Sequence, residues 1–199
     1  MTLIEQIHGR YVHGRRVRVL AGKLSALIPD KSTVLDVGCG DGRLAQLLLK
    51  DRPSLSLIGV DVLVRPDACI PVAWFDGKTL PQADHSVDVV MLVDVLHHTE
   101  DPNILLREAV RVARQALIVK DHLREGLFAG SILRFMDEIG NRRHGVALPH
   151  NYWTRAQWRK ASGELKVTTK NWDESLHLYP FAADWLFGGS LHFIARWDV

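Results

Sequence analysis

The stretch VLDVGCGDGRLAQ, residues 34–46, constrains this chain more than any other. Its apolar start reads as a buried strand, and residues 42–50 read as a helix. Between them stand Gly38, Gly40 and Gly42. Glycine lets the backbone turn tightly and approach a ligand, and a helix N-terminus presents free N–H groups. The strand also carries a carboxylate, Asp36. A buried charge without a partner is expensive, so a fold that keeps Asp36 in this strand must give it something to bind.

The rhythm of the chain supplies the frame. Apolar residues Ile4, Ile7, Tyr11, Val17, Leu20, Leu24, Leu27 and Ile28 recur at helical steps over residues 3–28, and Gly9, Gly14 and Gly22 are places where that helix can divide. Strands are expected at residues 33–39, 56–62, 72–75, 87–96 and 116–120. Helices are expected at 101–114, where Asp101-Pro102 gives an N-cap and a first-turn proline, and at 128–139. Strands alternating with helices, several of them apolar throughout, predict a parallel sheet covered on both faces. The last third changes character. Thr154 and Gln157 form a capping box, and residues 166–172 and 191–197 alternate as antiparallel strands do. The expected architecture is α/β: a Rossmann-like, seven-stranded, mostly parallel sheet with helices on both faces and an antiparallel edge strand. At 199 residues this is one domain, able to bury roughly 70% of its unfolded surface. Within it, residues 1–30 are a helical segment, 31–122 a ligand-binding core and 123–199 an acceptor-side helix, lid loop and closing strands.

Two ligands could use the glycine loop. Gly40-x-Gly42-x-x-Ala45 fits a dinucleotide fingerprint, but that reading places Asp36 beside an anionic pyrophosphate. A ligand with an ammonium and a sulfonium, and no phosphate, gives the carboxylate a task; S-adenosyl-L-methionine is such a ligand. The stretch Val34–Gly42 resembles motif I of the class I S-adenosylmethionine-dependent methyltransferases, and three further segments follow in order. Ile58-Gly59-Val60-Asp61 places an acid 25 residues after Asp36, where a carboxylate can accept from a ribose diol. Phe75-Asp76-Gly77 with Leu80-Pro81 and Asp84-x-Ser86-Val87-Asp88 resembles the family's adenine-side stretch, with Gln82 where a phenylalanine is usual. Leu92-Val93-Asp94-Val95-Leu96-His97-His98 with Asp101-Pro102 resembles its fourth-strand ending. The four segments cover residues 33–122 and are most like the "methyltransferase type 11" group. The resemblance implies a cofactor site made by Asp36, Gly38, Cys39, Gly40, Asp61, Val62, Asp76, Gly77, Leu92 and Val93. In it Val62 lies against adenine, Asp76 accepts from its amino group, and carbonyls near Leu92 and Val93 hold the ammonium.

The implied reaction is methyl transfer to a small molecule, at oxygen or nitrogen. No Asn-Pro-Pro-Tyr stretch follows the fourth strand, and a net charge of +2 gives no reason to expect nucleic acid or an anionic membrane as partner. A base among His98, Asp121 and His122 is expected to take the acceptor's proton, although Asp121 and His122 could equally cap the next helix. On a strand His97 and His98 point to opposite faces; His98 is expected to face the cleft and His97 to pack. No third ligand stands at clear spacing, so no metal is expected. Arg142, His144, His150 and Tyr152 suggest a lid over residues 140–152, and Trp153 could line an acceptor pocket. Arg10, Arg15, Arg16 and Arg18 read as the wet face of a helix. Cys39 and Cys69 form no metal or redox pattern. With no apolar leader and no run of 18 apolar residues, a cytoplasmic monomer or homodimer is expected. The rival readings are an NAD(P)-dependent oxidoreductase, which leaves Asp36 idle, and a non-catalytic cofactor-binding module.

Overall fold

A computed structural model describes residues 14–141, 149–180, 184–188 and 191–199. Seven strands form one sheet: β1 (Thr33–Val37), β2 (Ser56–Asp61), β3 (Val72–Trp74), β4 (Val87–Val93), β5 (Ala113–His122), β6 (Thr168–Asp173) and β7 (His192–Asp198). Their order across the sheet is β3-β2-β1-β4-β5-β7-β6. The first five are parallel, with Asp36 of β1 in register with Gly59 of β2 and Met91 of β4. Strand β7 runs antiparallel between β5 and β6, so the two closing strands pair at one edge as the alternation predicts. The order reverses between β1 and β4. In doubly wound sheets the carboxyl ends of the strands at such a reversal form the ligand crevice.

Helices cover both faces. Helices α1 (Gly14–Ser25) and α2 (Arg43–Asp51) bury Leu20, Leu24, Ala45 and Leu48 against Val34, Leu57, Met91 and Ile118. On the other face α3 (Pro102–Val112) and α5 (Arg155–Glu164) bury Leu105, Leu106, Trp158 and Ala161 against Leu35, Val37, Leu92 and Val119. Helix α4 (Ala129–Asn141) stands apart. It packs Ala129 and Leu133 on Tyr152 and Leu191, and so roofs the carboxyl end of β5. The N-caps behave as the sequence dictates. Asp101 accepts from the Asn103 N–H, and Thr154 and Gln157 make a reciprocal capping box.

Three boundaries differ from the sequence reading. Strand β4 ends at Val93, because Asp94 has a φ of +56°, a left-handed conformation that leaves the strand. Strand β1 ends at Val37, since Gly38 already turns at φ +69°. Strand β5 begins at Ala113, directly after α3, and runs through His122. The expected helix before residue 14, Arg10, the lid residues Arg142 and His144, and part of the segment between the closing strands lie outside the described residues.

Candidate active site

The crevice has two edges, and they are built differently. At the ends of β1 and β2 the backbone does the work. Gly38, Gly40 and Gly42 have φ values of +69°, +60° and +73°, which only glycine adopts at little cost. A Cβ on Gly38 would come within 2.5 Å of Val95, and one on Gly42 within 2.6 Å of Ile70. Gly40 differs: nothing lies within 4 Å of its missing Cβ, so it faces open space. Gly42 itself supplies no capping side chain to α2; the first N–H, Arg43 N, donates to Asp41 Oδ1 (3.2 Å), and the rest of the first turn lacks an intrahelical partner.

Two carboxylates stand beside this loop. Asp61 Oδ2 accepts from Gly40 N (2.8 Å) and Oδ1 from Leu63 N (2.8 Å), so the acid ties the glycine loop to the end of β2. Each oxygen keeps a second acceptor site. Asp36 is buried, yet among the described residues none donates a hydrogen bond to its carboxylate. Burial, and then the nearby Asp61, push its pKa up to about 7. Cys39 packs its sulfur over Gly59; burial and the adjoining acids push its thiol up to about 12, so it stays neutral. Val62 is 54% exposed and Gly77 approaches it closely, a Cβ on Gly77 falling 3.2 Å from Val62 Cγ1. Thus the structure brings Asp36, Gly38, Cys39, Gly40, Asp61, Val62 and Gly77 to one edge. Leu92 and Val93 end β4 beside them, Leu92 in register with Val37. Asp76 is exposed, and its Oδ1 accepts from Lys78 N and Thr79 N, which closes a turn and holds its pKa low; Oδ2 is not used by that turn.

At the ends of β4 and β5 side chains do the work. Past Asp94 the chain makes a 3-10 turn, Leu96–His98, so the two histidines sit on a turn rather than on a strand. His97 is buried, while His98 is partly exposed. His97 Nδ1 donates to Asp121 Oδ1 (2.6 Å), which also accepts from His122 N (2.7 Å); Leu96 N donates to Asp121 Oδ2 (3.0 Å). The other His97 nitrogen, Nε2, lies 3.5 Å from Asp137 Oδ1. Burial lowers the His97 pKa, but Asp121 and Asp137 outweigh it and raise the imidazole to about 10. Burial also disfavours the Asp121 charge, yet His97 and His122 hold that acid well below its usual range. His122 Nδ1 stands 3.2 Å from His97 Nδ1, and burial together with the His97 charge push His122 down to about 4. Burial and the His97 charge lower His98 as well. Of the three candidate bases, then, His98 and His122 are neutral imidazoles near neutral pH, and Asp121 is a fixed anion that orients its neighbours.

A second layer lies beneath. Asp94 ion-pairs with both Lys120 and Arg16. Burial would raise the Asp94 pKa, but these two cations hold it well below the usual carboxylate range. Lys120 also reaches His192 Nδ1 (3.3 Å), whose Nε2 donates to the Phe187 carbonyl (3.0 Å). Tyr152 donates its hydroxyl to Asp137 Oδ2 (2.5 Å) and sits 3.1 Å from His150 Nδ1. Sequence reasoning missed most of this layer. Arg16 is a half-buried ion-pair partner of Asp94 rather than part of a wet helix face. Asp94 and Lys120 carried the same signal as Asp36, a charge inside an apolar strand run, and could have been found by it. Asp137 and His192 gave no local signal.

Comparison with known proteins bears on both edges. The family described as "Methyltransferase domain" matches residues 35–116. The 2-methyl-6-phytyl-1,4-hydroquinone methyltransferase of Synechocystis sp. is 29% identical over 67% of this chain and 40% of its own length. Uncharacterized methyltransferases of Mycobacterium tuberculosis are 36% identical over 42% of this chain and 46% of theirs. The matched segment thus spans less than half the length of these curated relatives. Among solved structures, a Pyrococcus horikoshii protein matches at a TM-score of 0.70 with 16% identity, over 100% of this chain and 99% of that one. That is a likeness of fold.

Proposed function

We propose that this chain, whose residues 35–116 match the "Methyltransferase domain" family, is a class I S-adenosylmethionine-dependent methyltransferase that moves a methyl group to a small-molecule acceptor at oxygen or nitrogen. The observation that carries the proposal is Asp36: a buried carboxylate with no described donor, at the reversal point of the sheet and beside three glycines with positive φ. A cationic, phosphate-free adenosyl ligand satisfies it, whereas a pyrophosphate there would meet a like charge. The acceptor class is supported by the Synechocystis relative, whose name specifies a hydroquinone.

The residues present fit the cofactor. Open space at Gly40 and the glycine-capped first turn of α2 admit a ligand to the backbone. Asp36 and the carbonyls near Leu92 and Val93 would hold its amino acid portion. Asp61 would use its free acceptor sites on the ribose. Val62, Asp76 and Gly77 would flank the adenine. When bound, S-adenosylmethionine supplies an electrophilic methyl on a sulfonium that is already a good leaving group. The protein's part is orientation and exclusion of water. At the other edge a base among His98, Asp121 and His122 takes the acceptor's proton; Asp121 is tied to His97 and to His122 N, and His98 is the one of the three that is partly exposed. Calorimetric titration with S-adenosylhomocysteine and with NADH tests the reading. Micromolar binding of the first and none of the second is expected; the reverse would return the chain to the oxidoreductases.

A further inference from the structure

We propose that His97, His98 and Asp137 form a binding site for one divalent transition-metal ion at the acceptor edge. One ring nitrogen of each histidine and one carboxylate oxygen of Asp137 lie within 4.8 Å of one another. His97 and Asp137 are buried and His98 is partly open, so three ligands converge while one side of the site faces the crevice. Three protein ligands with an open position is the arrangement of metal sites that bind a further molecule.

The details favour these three over the neighbouring trio of His97, Asp121 and His122. Asp121 is spent: its two oxygens already accept from His97, from His122 N and from Leu96 N. That use defines the other end of His97. Because a carboxylate only accepts, Nδ1 carries the proton, and Nε2 is the nitrogen that faces Asp137. A carboxylate behind a histidine in this way is the usual outer support of a metal ligand. Asp137 is held similarly, Oδ2 taking the Tyr152 hydroxyl and leaving Oδ1 toward His97. The 3.5 Å between His97 Nε2 and Asp137 Oδ1 is long for a hydrogen bond. It matches the roughly 3.4 Å between ligands on a tetrahedral ion with bonds of about 2.0–2.1 Å. His98 Nδ1 is buried and has no described hydrogen-bond partner. The place between Asp121 and Asp137 calls for positive charge. A proton on His97 Nε2 supplies it without metal, and an ion would replace that proton. Spacing hid the site, because Asp137 lies 39 residues beyond His98, on α4.

An ion there would hold an oxygen of the acceptor and make its hydroxyl more acidic; this use rests on the methyl-transfer reading above. The test is calorimetric titration of the chelator-treated full chain with Zn²⁺, with Mg²⁺ as control, followed by zinc-edge X-ray absorption. One Zn²⁺ per chain is expected, bound through two imidazoles and a carboxylate. His98→Ala and Asp137→Asn should each weaken it at least tenfold, with S-adenosylhomocysteine affinity unchanged as the sign of an intact fold. No stoichiometric Zn²⁺ in the wild-type chain, or variants that bind as tightly as wild type, overturns the site. Zn²⁺ uptake without S-adenosylhomocysteine binding overturns the methyl-transfer reading and leaves the site standing; the converse result does the opposite.

Discussion

The two edges of one crevice contrast sharply. The β1–β2 edge is a backbone device: left-handed glycines, a glycine-capped helix start and a carboxylate bridging two amides. Its one charged oddity, Asp36, lacks a described donor. The β4–β5 edge is a side-chain device in which nearly every charge has a partner, from Arg16 and Lys120 on Asp94 to His97 between Asp121 and Asp137. The first edge suits a ligand always of the same shape. The second, drawn from six separated segments, can vary without disturbing the first.

That separation can be broken by experiment. The largest expected effect is on turnover. His122→Ala should lower kcat by 10²- to 10⁴-fold and leave S-adenosylmethionine affinity within twofold, read by steady-state kinetics and calorimetry. A matching loss of affinity would show that the edges are one unit. Next, Arg16→Ala removes one of two cations from the half-buried Asp94 and should cost up to about 3 kcal/mol in denaturant unfolding. A solvated arginine would cost almost nothing. Gly38→Ala and Gly40→Ala sharpen the contrast within the loop. Both force an alanine to positive φ, but only the first also meets Val95. We expect losses of about 3 and about 1 kcal/mol respectively, with Gly40→Ala weakening cofactor affinity by more than its stability loss explains. Smallest is Thr154→Ala, which opens the α5 capping box. It should cost about 1 kcal/mol and change neither affinity nor turnover.

The same contrast explains what could be read in the sequence. The first edge is contiguous: Asp36 to Gly42 is one strand end and one turn, and Asp61 follows at the next strand end. Residue order therefore carries its geometry. The alternating period of the closing strands and the Thr154–Gln157 pair were legible for the same reason, since each depends on neighbours. The second edge depends on contacts across the sheet. No local pattern puts Arg16 on Asp94, or Asp137 beside His97. The end of β4 is hidden too, because an apolar run through residue 96 gives no sign of the positive φ at Asp94. His97 and His98 then fell on a turn, and the strand rule about opposite faces did not apply to them.

The proposed cofactor site turns on Asp36, a buried carboxylate with no described donor. Its pKa of about 7 in the free protein exceeds the ordinary 3.8, so the folded state holds an extra proton between those values. Its contribution to stability is therefore complete below about pH 4 and declines as pH rises through 7. The direct measurement is S-adenosylmethionine affinity and thermal stability of the wild type and of Asp36→Asn at pH 8. The variant is expected to be more stable without ligand, on the order of 2 kcal/mol, and to bind S-adenosylmethionine at least a hundredfold more weakly. A variant that binds as well as wild type would show that Asp36 holds no cationic ligand.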